Sequence, residues 1–147
     1  MKYKLISLNI IQIGKEQIVF PINTVIDKIE TLNEVICFNT TPFETDLDWN
    51  NIETHQIWKE RCVANPSQLF CYDFSGKLKW QLPDNTIVGF GQVFPNLKKG
   101  KDFITPRHYS RYIKKYKDKE LLEVYSGDFR FVIDANTGEI YDKIENH

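Results

Sequence analysis

Two stretches of this chain repeat one pattern, and that pattern limits the folds open to it more than any other feature. LFCYDFSGKLKW, residues 69–80, and RFVIDANTGEIYDK, residues 130–143, each run an apolar strand, an aspartate, a short polar turn, a glycine and a second alternating strand. An aspartate opening a turn accepts hydrogen bonds from the turn's own backbone, and a glycine near its end takes the positive φ that a Cβ disfavours. Arms that alternate with period two bury one face. Each unit therefore predicts one tight antiparallel hairpin, with Leu78 and Trp80 on one face and Trp80 in the core opposite Phe70 and Tyr72 or their neighbours.

The rest of the chain supplies further strands. KLISLNIIQI and EQIVFPI are β-rich runs separated by Gly14, Lys15 and Glu16, a hairpin-loop composition. VIDKIETL is ambiguous, because Val25, Ile26, Ile29 and Leu32 also suit a short helix. NEVICFN, NTIVGFGQVF, ELLEVYS and DFRFVID read as strands, and Gly89 and Gly91 inside the second suggest a bulge or a close backbone approach. At 147 residues the chain has the length of one domain, 1–147, able to bury roughly 70% of the surface its unfolded form exposes. The expectation is a mainly β protein: a single-domain antiparallel sheet or sandwich with one or two short helices.

Composition closes off several function classes. A formal net charge of -1 gives no overall attraction to nucleic acid or an anionic membrane. No apolar run approaches the roughly 18 residues of a membrane helix. The opening MKYKLISLNIIQIG is broken by Ser7, Asn9 and Gln12 and lacks a cleavage site, so it reads as a strand and not a signal peptide. Cys37, Cys62 and Cys71 sit among apolar or aromatic neighbours, which predicts reduced core thiols in a cytoplasmic protein. There is no Gly-rich phosphate loop, nucleophile elbow or cysteine-pair zinc pattern, and the expectation is a non-enzyme without cofactor or metal. A ribonuclease would have to draw on His55 and His108 as acid and base.

Two segments stand out as candidate surfaces. Residues 40–67, TTPFETDLDWNNIETHQIWKERCVANPS, lack alternation, with a helical turn or two expected over 50–60. Here Glu44, Asp46, Asp48 and Glu53 accompany Phe43, Trp49 and Trp58, and no Lys or Arg falls between Phe43 and Ile57. Aromatic anchors concentrate interface energy and acidic residues speed the approach of a basic partner, so these seven residues are the predicted partner-binding site. Glu44, Asp46 and Asp48 alternate like calcium ligands, but the glycine and distal glutamate of such a loop are missing.

The second surface is basic. Residues 98–119 hold Lys98, Lys99, Lys101, Arg107, Arg111, Lys114, Lys115, Lys117 and Lys119, with Tyr109, Tyr112 and Tyr116 between them. Such a segment can hold phosphates and stack bases. A helix over RHYSRYIKKYK would instead gather Tyr109, Tyr112, Ile113 and Tyr116 on one face, as an ordinary surface helix does.

YDFSGKLKW resembles the strand-turn-strand signature of quinoprotein-type β-propeller blades, although the chain is too short to close a ring of such blades. From about residue 20 to 143, the order FPINTVIDKIETLNEVICFN, LFCYDFSGKLKWQL, FRFVIDANTGEIYDK resembles small bacterial immunity proteins encoded beside contact-dependent-inhibition and other polymorphic toxins. The resemblance implies a cytoplasmic, non-enzymatic binder that neutralises the C-terminal domain of one toxin. The acidic segment adds the expectation that this partner is a basic nuclease. The step from VICFN to LFCYD is longer here than in that group, so no family binding residue is transferred.

Overall fold

The computed structural model describes residues 2–82, 87–92, 114–127 and 129–145. It is mainly β and antiparallel, the class read from the sequence. The chain forms two compact units, Met1–Ile87 and Val88–His147.

The first unit begins with a three-stranded sheet, β1 (Tyr3–Ser7), β2 (Ile10–Ile13) and β3 (Glu16–Val19), in the order β1-β2-β3. The run KLISLNIIQI is thus two strands, turned at Leu8 and Asn9. Asn9 closes that turn, its side chain accepting from the Ser7 hydroxyl at 2.8 Å and donating to the Phe20 carbonyl at 2.8 Å. A four-stranded sheet follows: β4 (Thr24–Thr31), β5 (Val35–Pro42), β6 (Gln68–Asp73) and β7 (Leu78–Leu82), ordered as in the chain.

The ambiguous segment is strand β4, and its register explains the helix-like spacing. Ile26 pairs with Thr40 but Ile29 pairs with Phe38, so Asp27 and Lys28 together face the single residue Asn39. This bulge puts residues three apart on one face, where a regular strand would separate them. The Asn39 side-chain oxygen accepts from the Lys28 amide at 2.9 Å, satisfying a donor the bulge takes out of the ladder.

Ile26, Ile36, Phe38, Phe70 and Tyr72 form one face of this sheet and pack with Ile11 and Ile13 of β2. Phe38 is central, stacked on Phe70 at 5.6 Å and on Tyr72 at 5.6 Å, with Phe20 edge-on at 5.9 Å. Val35, Cys37, Asn39, Leu69 and Cys71 alternate onto the other face and are also fully buried. Each fully buried Ile or Phe contributes about 1.5–3 kcal/mol.

The expectation that Leu78 and Trp80 share a face is corrected. Tyr72 pairs with Leu78 and Cys71 with Trp80, leaving Lys79 as an extra residue in β7. Neighbours on β6 point to opposite faces, so the bulge sends Leu78 and Trp80 to opposite faces as well. Trp80 is half-buried across from Cys71, and Leu78 is exposed.

The second unit contains β8 (Ile87–Gln92), β9 (Leu121–Ser126), β10 (Phe129–Asp134) and β11 (Ile140–Glu145), in the order β11-β10-β9-β8. Leu121 and Val132 form its cluster with Tyr116, Tyr141 and Ile144. Both repeated units are hairpins, β6–β7 and β10–β11. Of the basic segment, Lys98, Lys99, Lys101, Arg107, His108, Tyr109, Arg111, Tyr112 and Ile113 lie outside the described residues.

Candidate protein-binding site

The acidic, aromatic segment leaves the sheet at the end of β5 and returns at β6. Its one helix, α1, spans Thr54–Ala64, starting four residues later than the expected helical turn. Polar side chains set that start. The Asp48 carboxylate accepts from the Asn50 amide at 3.0 Å and the Asn51 side chain from the Glu53 amide at 2.9 Å, two local turns that compete with helix. The Thr54 hydroxyl donates to the Asp48 carbonyl and is buried. Asn65 ends the helix: its amide donates to the Arg61 carbonyl at 2.8 Å, its side-chain nitrogen donates to the same carbonyl at 3.1 Å, and its side-chain oxygen accepts from the Thr24 hydroxyl at 2.8 Å. Pro66 follows and blocks continuation.

Arg61 locks the segment together. Its guanidinium donates to the Phe43 carbonyl at 2.7 Å and to both oxygens of Asp46 at 2.6 and 3.2 Å. The fork holds the Asp46 carboxyl below its usual range, with the hydrogen bond from Arg61 as the largest cause. Asp46 was predicted to face a partner with its charge, yet that charge is matched within the chain. Arg61 escapes notice in the sequence because it stands fifteen residues from Asp46.

Trp49 lies between His55 and Trp58, edge-on to each ring at 5.7 Å. Trp58 is half-buried, while Trp49 remains 43% exposed. The inward face of α1 is Thr54, Trp58, Arg61, Cys62 and Asn65 at its end, and its apolar residues do not all follow that face. Ile57 is 43% exposed, Val63 83%, and Ile52 just before the helix 88%. A helical projection of residues 54–64 separates Ile57 and Val63 from Trp58, the signal that could have added them to the predicted site.

Glu44, Asp48, Glu53 and Glu60 are exposed around these residues, and Lys59 is the segment's cation besides Arg61. Phe43 is half-buried and, with Glu44, Asp27, Leu8, Val25 and Pro42, bounds an open cleft of about 350 Å³. The cleft's lining is mixed, with apolar side chains beside two carboxylates and two threonines. Cys62 is half-buried and its thiol is pushed up by burial and then by Glu44, opposite to the activation a nucleophile needs. Among the described residues no three His, Cys, Asp or Glu side chains converge to hold a metal ion.

The described part of the basic segment behaves differently. Tyr116 stacks on Tyr141 at 4.4 Å with planes 5° apart, so its ring is engaged inside the second unit. Lys114, Lys115, Lys117 and Lys119 extend into solvent around it. Among the described residues no helix is long and apolar enough to cross a membrane.

Compared with known proteins, the chain matches no family model, no curated protein and no solved structure.

Proposed function

We propose that this protein is a binding module that neutralises the toxin domain of a neighbouring polymorphic-toxin gene by occluding it, with the 43–64 segment as its contact surface. The observation that carries this reading is the exposure of Trp49, Ile52, Ile57 and Val63 among solvent-facing carboxylates on a segment anchored by Arg61. Apolar side chains left in water on an ordered element, rimmed by like charge, suit a partner of opposite charge with a hydrophobic centre. A nuclease offers that surface, since the groove that holds phosphates is basic. The order of segments supports the same reading through its resemblance to immunity proteins. Function of this kind requires no catalytic group, cofactor or metal, and a cytoplasmic location would place the protein where such a toxin acts.

Titration calorimetry with the C-terminal domain of a large secreted protein encoded beside this chain, where the locus carries one, tests it. One-to-one binding with loss of that domain's toxicity is expected, and Trp49→Ala should weaken affinity by about 30-fold, or about 2 kcal/mol. Glu53→Gln with Glu60→Gln should slow association at low salt and leave dissociation nearly unchanged. Unchanged affinity in Trp49→Ala would move the interface elsewhere on the protein. Absence of binding, with oligonucleotide binding that falls steeply with salt, would instead assign the function to residues 98–119.

A further inference from the structure

Cys37 and Cys71 are thirty-four residues apart in the chain but directly opposite in the β5–β6 ladder, their sulfurs 3.0 Å apart. Both are completely buried. Directly opposed residues of an antiparallel pair have Cα atoms about 4.5–5.5 Å apart, inside the range a disulfide spans, and an S–S bond of about 2.05 Å requires roughly 1 Å of sulfur movement. The third cysteine, Cys62, is on α1 and has a different environment.

We propose that Cys37 and Cys71 are a redox pair that closes into a cross-strand disulfide, clamping the two strands from which the 43–64 segment is suspended. β5 leads into that segment and β6 leads out of it, so the bond would close a loop containing all of it. The oxidant is a small disulfide of the glutathione type. One cysteine sulfur, having lost its proton, attacks that disulfide and releases one glutathione thiol. The other cysteine attacks the resulting mixed disulfide and releases the second. Two protons and two electrons leave the protein, and one glutathione disulfide becomes two thiols. Because neither sulfur is exposed, the reaction proceeds through opening of the β5–β6 pairing or during folding, and mild denaturant should accelerate it. The proposal rests on the ladder geometry and stands whether or not the 43–64 segment binds a toxin.

The test starts from fully reduced protein, both native and as Cys62→Ser, refolded across a series of reduced-to-oxidised glutathione ratios. Samples are then unfolded in acid, alkylated, and read by intact mass and peptide mapping. The expected result is a species lighter by two hydrogens and blocked from alkylation at residues 37 and 71, with one peptide pair joining them. Its thermal midpoint should exceed that of the reduced protein by roughly 10 °C, as expected for a loop of this length. Peptide mapping of the native chain gives the same answer should Cys62→Ser fold poorly. Alkylation of both residues at every ratio, glutathione retained on either, a bond to Cys62, or a lowered midpoint would each overturn the proposal.

Discussion

The hairpins β6–β7 and β10–β11 are built on one plan and finished differently. In each, the opening aspartate donates its amide to the closing residue, Asp73 to Lys77 at 2.9 Å and Asp134 to Glu139 at 2.9 Å. Each has a glycine of positive φ just before that closing residue, Gly76 at 91° and Gly138 at 78°. Each return strand carries its extra residue two positions after closure, Lys79 in one and Tyr141 in the other. From there they diverge. Asp73 spends one oxygen on the Ser75 amide, the Ser75 hydroxyl and the Lys77 amide, all within the turn. Asp134 accepts from the Asn136 amide with one oxygen, and from the Tyr141 hydroxyl at 2.8 Å with the other. The bulge residue thus closes the second turn over a carboxylate that is 2% exposed, whereas Lys79 in the first points to solvent. Turn chemistry sets the shape of a hairpin, and the residue at the bulge decides whether its aspartate faces water or protein.

Several changes would break or sharpen this contrast. Gly76→Ala should have the largest effect, because a Cβ there would meet the Ile13 carbonyl at 2.6 Å and Glu16 at 2.7 Å in the neighbouring β2–β3 turn. Strain from φ and that collision together predict a loss of about 2–4 kcal/mol in urea unfolding, against about 1–2 kcal/mol for Gly138→Ala. Equal losses would mean that the turn-to-turn contact contributes nothing.

Asp134→Ala should follow at about 1–3 kcal/mol, since the half-buried Asn136 amide and Tyr141 hydroxyl both lose a buried acceptor. Asp73→Ala should cost less, because Asp73 is half-buried and water can reach the turn donors it leaves. Hydrogen exchange at the two turns would compare them directly, and a larger loss at Asp73 would contradict the contrast. Tyr141→Phe keeps the ring stacked on Tyr116 and removes one hydrogen bond, so a loss of about 1 kcal/mol is expected.

The smallest perturbation is one of protonation. The hydrogen bond to Asp134, assisted by burial, pushes the Tyr141 phenol from 10.0 up to about 12. Its folded value is the higher, so the stability it contributes is complete below pH 10 and is lost as pH rises toward 12. Asp73 has the opposite sign. The Ser75 hydroxyl, then the Lys77 amide, lower its carboxyl below 3.8, so its contribution is complete above that pH and fades as acid protonates the folded form. Ultraviolet titration should show late-ionising phenols, Tyr141 near pH 12 and Tyr72 pushed up by burial; loss of one phenol from that late phase in Asp134→Asn would identify Tyr141, and an unchanged late phase would refute the assignment.

Much of this was legible from residue order. Alternating arms, Asp73, Gly76, Asp134 and Gly138 determined antiparallel hairpins, because period-two burial and positive φ are local demands that few other arrangements meet. The candidate site was legible in its aromatics and carboxylates, since both are compositional. Four decisions needed the folded chain. The bulge opposite Asn39 made Ile26 and Ile29 share a face, and the bulge at Lys79 split Leu78 from Trp80. Arg61 neutralised Asp46 from the far end of α1, and β5 met β6 in the one register that brings Cys37 against Cys71. In each case a single residue of register, or a partner more than a dozen positions away, sets the outcome, and neither is encoded in the local pattern of the sequence.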